Sequence, residues 1–205
     1  MTTIRAFRWW CLLLAAALLL LFASFYLDGA VQAWMTQHQN AGVRNFMRAV
    51  SRFGDWYEHL GVGLILLGLA YFRRSKKWMR IFAAMILALA LAGATARVIK
   101  ISTGRARPDV QTETGWNGPR FTFRYNSFPS GHTVASTAFF ATLAFASWRI
   151  GLAFLFIPVL IAFSRMYVAA HFLSDIICAS LIGLLAAYVT ARWIFPTIQN
   201  PKSEI

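Results

Sequence analysis

The sequence predicts an all-α, polytopic membrane protein, one helical bundle over residues 1–205 with about six transmembrane helices, and three observations carry that prediction. Hydrophobic residues fill 59% of the 205 positions, a larger share than soluble domains carry. The mean hydropathy is +0.56. Apolar runs able to cross about 30 Å of hydrocarbon, roughly 17 to 25 residues each, recur along the chain between basic or aromatic flanks. The length fits a single domain.

Six spans are drawn: Trp9 to Leu27, Tyr57 to Phe72, Trp78 to Val98, Thr133 to Trp148, Ile150 to Val168 and Phe172 to Phe195. The first follows Arg5 and Arg8, but it is too long for the apolar core of a secretory signal and no small-residue cleavage site closes it, so it reads as a retained span. The second and fourth are short and flanked by aromatics that suit the headgroup level. Between the first two spans, Ala30 to Asp55 sets Val43, Phe46, Met47, Val50 and Phe53 at helical spacing, with Arg44, Arg48 and Arg52 on other faces. That pattern predicts an amphipathic helix lying in the interface. The tail after Pro196 is expected to fray.

Lysine and arginine number 20 against 7 aspartates and glutamates, a formal charge of +13. In a soluble protein that balance would suggest nucleic acid, but no soluble domain remains to hold it, so nucleic acid is not a predicted partner. Two other sources of the excess remain, cytoplasmic loops and cations gathered around an anionic substrate. The densest basic loop, Arg73-Arg74-Ser75-Lys76-Lys77 and on to Arg80, is placed in the cytoplasm by the positive-inside rule. Parity then sends Ala30 to Asp55, Ile99 to His132 and Tyr167 to His171 to the other side, with both termini cytoplasmic, as Arg192 and Lys202 allow. The two cysteines, Cys11 and Cys178, sit in apolar runs and imply no disulfide framework.

Three polar clusters fall on that outer side. Lys100 stands near the end of the third span, and Gly104 and Pro108 end the helix so that Arg107 can fold back toward it. A guanidinium fork and an ammonium point charge converging from different segments suit a tetrahedral dianion. The second cluster is Pro129-Ser130-Gly131-His132: Ser130 is a candidate N-cap, Gly131 lets backbone approach a ligand, and the helix start favours an anion. His132 there can give a proton to a leaving oxygen. In the third, Ser164-Arg165 closes the fifth span, and His171 and Asp175 open the sixth, four apart and therefore on one face of a helix. The carboxylate can fix the imidazole tautomer and leave the other ring nitrogen free to attack. Singly, each cluster is matched by a plainer reading: juxtamembrane snorkelling, a capping histidine, or an ion pair holding two helices together.

Together the clusters resemble a known signature. Lys100 to Pro108 fits Lys-x6-Arg-Pro, Pro129 to His132 fits Pro-Ser-Gly-His, and Ser164 to Asp175 fits Ser-Arg-x5-His-x3-Asp. The chain is therefore similar to the type 2 phosphatidic acid phosphatase (PAP2) superfamily, the membrane lipid phosphate phosphatases whose pocket is shared with vanadium haloperoxidases. The resemblance implies that His171 attacks phosphorus to form a phosphohistidine and that Asp175 orients it. It implies that His132 protonates the leaving alkoxide, and that Lys100, Arg107, Ser130, Gly131 and Arg165 hold the phosphoryl oxygens. It implies no metal and no cofactor. Arg97, Arg105, Arg120 and Arg124 lie outside the pattern and are available to a diphosphate or a larger headgroup.

The expected activity is hydrolysis of a membrane lipid phosphate in the bacterial inner membrane, with the site on the periplasmic face and the bilayer as the other partner. Phosphatidylglycerol phosphate, phosphatidic acid, undecaprenyl diphosphate and lipid A phosphates all fit the site. Phosphotransfer to another lipid would use the same first half-reaction. A non-catalytic protein that binds or transports anionic lipid would need the basic loops but not a His-x3-Asp pair beside Arg165.

Overall fold

In a computed structural model the described residues are 2–110 and 115–195, with side chains from Phe7 onward. The tail from Pro196, including Lys202, and the Arg5 side chain lie outside them. Eight α-helices are described: α1 (Thr2–Gln37), α2 (Ala41–Arg52), α3 (Trp56–Phe72), α4 (Lys76–Thr103), α5 (Gly131–Ala146), α6 (Trp148–Phe154), α7 (Phe156–Tyr167) and α8 (Leu173–Ile194). The fold is an all-α membrane bundle.

Among the described residues, four stretches are long and apolar enough to cross a bilayer: Phe7–Gln37, Lys76–Thr103, Trp148–Tyr167 and Leu173–Ile194. The other two expected spans are shorter. Helix α3 has 17 residues and α5 has 16, a rise of about 24–26 Å. Helix α5 is enclosed by its neighbours, with every residue from Thr133 to Phe139 buried, so lipid thickness does not set its length. The fifth expected span is broken at Leu155 into α6 and α7.

Small residues let these helices meet closely. Ala88, Ala92 and Ala96 of α4, Val134 and Ala138 of α5 and Ala179 of α8 form one buried cluster, the packing expected where lipid supplies no hydrophobic drive between helices. Gly183 of α8 is required there: a Cβ on it would sit 2.8 Å from Thr137 Cβ and 2.9 Å from Ala138 N. Nearer the opposite end, Ile81, Met85, Phe139 and Leu143 make a second cluster. Helix α1 lies at the edge, with Trp10 tilted against Tyr188 of α8 at 5.3 Å between ring centroids. Most of its leucines, Leu12 to Leu14 and Leu18 to Leu20 among them, face outward, as lipid-facing side chains should.

The stretch Ala30 to Asp55 is not one amphipathic helix. Helix α1 continues past Leu27 to Gln37, and α2 begins after Asn40, whose side chain caps it by accepting from Gly42 N at 2.8 Å. Met47 of α2 packs with Met35 and Tyr167, while Val43, Phe46 and Phe53 are exposed. The amphipathic character therefore belongs to α2 alone, which is held against α7.

Candidate active site

The chain brings the three clusters to one end of the bundle, where the α2–α3 turn, the long loop after α4 and the α7–α8 connection meet. Gly104 ends α4 in the left-handed conformation, φ 53°, as its position after Lys100 predicts. The loop then folds back on itself. Asn117 N donates to Gly104 O at 3.1 Å, Arg107 N to Arg124 O at 3.1 Å and Ser127 N to Arg105 O at 3.0 Å. These bonds fix Arg105 and Arg107 although neither lies in a helix.

His171 lies one residue before Phe172, the N-cap of α8, so it is outside the helix that the spacing predicts it shares with Asp175. Its Nδ1 still reaches Asp175 Oδ2 at 3.4 Å. That oxygen also accepts from the Ser127 hydroxyl and from Phe172 N at 2.9 Å. The Ser127 oxygen is 3.5 Å from the same imidazole nitrogen. Ser127 has no counterpart in the pattern read from sequence. Its place two residues before Pro129 was the only signal.

His171 is 1% exposed. Burial pushes its pKa down from 6.5 to about 3, against the hydrogen bond and charge of Asp175. The ring is therefore neutral at working pH, as a nucleophile requires. A depressed folded-state value contributes stability fully above 6.5 and loses it as pH falls toward 3, because only the unfolded chain binds the proton in that window. The melting-temperature difference between wild type and His171→Asn in detergent is expected to shrink over that range. A pH-independent difference would contradict the buried neutral ring.

The cations surround this pair. Lys100 Nζ donates to Asn126 O at 2.7 Å from the last turn of α4. Arg107 Nε donates to Phe123 O at 3.1 Å and NH1 to Ala170 O at 3.3 Å, which places its guanidinium beside the His171 loop. Burial lowers the Arg107 pKa, with Asp109 and Asp175 opposing; the side chain stays charged. Arg165 donates to Ser51 Oγ of α2, and its Nε is buried without a partner. The hydroxyl of Ser164, the residue before it, donates to Ile161 O at 2.6 Å in its own helix.

Ser130 occupies the N-cap of α5, but its side chain makes no capping bond; it accepts from Thr133 Oγ1 at 3.1 Å. A Cβ on Gly131 would meet nothing within 4 Å, so there is room above the α5 N-terminus. His132 Nε2 lies 3.6 Å from Asp55 Oδ2. Beside Gly131, His132 and Lys100, a cavity of about 540 Å³ runs between α3, α4 and α5. Its walls are mostly apolar, with Leu60, Ile86 and Leu89 among them, and Arg97 lies along it.

One assignment is overturned. Arg105 is not available to a headgroup. It is 7% exposed, and its guanidinium is paired to Asp175 Oδ1 and Asp28 Oδ2, each at 2.6 Å. Charge on that loop was legible in the sequence; the partner in α1 was not. Arg120 stacks over Tyr125 at 5.6 Å.

The comparisons agree with this architecture. The profile of the PAP2 superfamily matches residues 81–199, more than half of the chain, and the chain belongs to that superfamily. As a transmembrane member it is a membrane lipid phosphatase. Among its relatives, the lipid A 1-phosphatase of Rhizobium johnstonii is 30% identical over 176 residues, covering 74% of this chain and 70% of the relative. The lipid A 1-phosphatase of Rhizobium etli is 29% identical over 201 residues, 78% of this chain and 84% of the relative. The transmembrane PAP2-type phosphatidylglycerolphosphate phosphatase of Bacillus subtilis shares the fold. Its crystal structure superposes with a TM-score of 0.67 at 21% identity, covering 88% of this chain and 93% of that one.

Proposed function

We propose that this protein removes the phosphomonoester of a membrane lipid, with a lipid A-type 1-phosphate as its first substrate, through a phosphohistidine at His171. The observation that carries the reading is the convergence on one end of the bundle of a neutral His171 held by Asp175, a second histidine at a helix start, and three cations from separate elements. In the first half-reaction His171 Nε2 donates its lone pair to phosphorus while the bond from phosphorus to the lipid oxygen breaks. His132 gives that oxygen its proton. In the second, a water oxygen bonds to phosphorus, the N–P bond breaks, and His132 takes the water's proton. Lys100, Arg107 and Arg165, with the Ser130 hydroxyl and the Gly131 backbone N–H at the α5 start, carry the phosphoryl charge, which is where phosphoryl transfer gains most from a protein.

The apolar cavity ending at Lys100 and His132 suits a substrate whose acyl chains stay in lipid while its phosphate reaches the cations. The names of the Rhizobium relatives favour lipid A 1-phosphate over phosphatidylglycerol phosphate, phosphatidic acid or undecaprenyl diphosphate. The basic stretch from Arg73 to Arg80 lies at the end of α3 and α4 away from the site, which supports a periplasmic site in the inner membrane.

The test is phosphate release by purified protein in mixed micelles from each of these four lipids, with and without a chelator. Fastest turnover on the lipid A phosphate, unchanged by the chelator, is expected. Release from none of the four sinks the proposal, and a rate that falls with the chelator sinks its metal-independent mechanism.

A further inference from the structure

Asp28 of α1 lies outside the stretch matched to the superfamily, yet it touches the machinery of the site. It is 7% exposed in a helix long and apolar enough to span the membrane, and an acid so placed is costly unless it has a task. Its two oxygens do different work. Oδ1 accepts from Ser174 N at 2.8 Å, the second residue of α8. Phe172, the N-cap of that helix, has no side-chain acceptor to offer, so a carboxylate from another helix supplies the missing cap. Oδ2 accepts from Arg105 NH2 at 2.6 Å and from the Ser174 hydroxyl. Arg105 NH1 donates to Ser174 Oγ and to Asp175 Oδ1, both at 2.6 Å.

The guanidinium is also boxed by rings, with its carbon 4.3 Å from the Phe172 centroid, 4.8 Å from Trp116 and 5.4 Å from Phe25. Water is kept from the pairs, and their attraction is stronger for it. We propose that Asp28 and Arg105 are positioning residues that fix the start of α8 and the rotamer of Asp175, and that Asp28 sets the charge Asp175 can offer to His171. The inference rests on His171 being the nucleophile.

The charge balance explains why two residues are needed. Arg105 alone would orient Asp175 but cancel its negative charge, and the ring of an imidazole phosphorylated at Nε2 and protonated at Nδ1 carries a positive charge that needs a counterion on the Nδ1 side. Asp28 offsets Arg105, so the three groups together keep one negative charge facing the ring. A lysine at 105 could not serve both carboxylates with the same fork.

The experiment compares Asp28→Asn, Asp28→Glu and the double variant Asp28→Asn/Arg105→Met, which deletes one charge of each sign. Turnover is measured on whichever lipid wild type hydrolyses. Histidine ring 15N shifts in uniformly labelled protein report the His171 tautomer, whether or not the protein turns over. Asp28→Asn is expected to lower kcat about 10- to 100-fold, as loss of an outer-shell partner does at a metal-bound histidine. KM should stay within about threefold, since every phosphate-binding cation is untouched. The ring should then sample both tautomers, and Asp28→Glu should restore part of the rate. The double variant keeps the single negative charge of Asp175 but loses what holds its rotamer, so it should return to the wild-type tautomer while its kcat stays below wild type; if Asp28→Asn does not fold, that loss of kcat stands in for it.

A single wild-type tautomer in Asp28→Asn overturns the proposal, as does wild-type kcat in either variant, or a loss in Asp28→Glu as large as in Asp28→Asn. Wild-type protein inactive on every lipid would instead overturn the proposed function and leave the tautomer measurement to decide this inference.

Discussion

Replacing His171 by alanine is expected to lower phosphate release at least about 10³-fold, the scale on which loss of an attacking group acts, and to leave the bundle folded. The second half follows from the neighbours of Asp175. Without the imidazole, that carboxylate keeps Ser127, the Phe172 amide and Arg105, so no buried charge is stranded. The cost in stability is that of a small cavity, about 1–3 kcal/mol. Brief exposure of wild type to 32P-labelled lipid should trap an acid-labile, alkali-stable phosphoprotein, which His171→Ala should not form. Undiminished turnover by a well-folded His171→Ala protein would remove the nucleophile from the proposed mechanism.

The three polar clusters and their common end of the bundle were legible because each is short and local in sequence. A helix that ends at Gly104, a helix that begins after Ser130 and a His-x3-Asp spacing need no tertiary information. What holds those residues in place was not legible. Asp28 and Arg105 are 77 positions apart, and nothing in the periodicity of α1 says that this acid faces α8. Arg105 looked like surplus charge because sequence does not distinguish a cation reaching a headgroup from one buried between two carboxylates. Ser127 was invisible for a different reason, since serine in a loop is the ordinary case. The amphipathic segment was placed correctly in character and wrongly in extent: the apolar side chains that carry α1 on to Gln37, Val31 and Met35 among them, continue the pattern of the first span. A chain can pass from span to interface without a compositional break.

The loop that bears Arg105 and Arg107 turns on one residue, which makes Gly104→Ala the second large effect expected. At φ 53° a side chain is strained by about 1–2 kcal/mol. Here a Cβ would also stand 1.8 Å from Gly118 O and 3.1 Å from Arg120 Cγ. The first of these is backbone and cannot rotate away, so the 104 and 118 segments must part. Their separation breaks the bond from Asn117 N to Gly104 O and disturbs the pairing of Arg105 with Trp116. A total cost of about 2–4 kcal/mol is expected, a fall of roughly 4 to 16 °C in melting temperature for a chain of this size. Turnover should fall more than stability alone explains, because the displaced residues include Arg107, an arginine of the proposed phosphate cradle, and the arginine that holds Asp175. Gly118→Ala is the matched control. Its φ is 67°, but a Cβ there meets nothing within 4 Å, so it carries the backbone strain without the collision. A clear excess of the Gly104 effect over the Gly118 effect, in both melting temperature and kcat/KM, is the expected result. Equal effects would mean that the close approach of the two segments does not position the site.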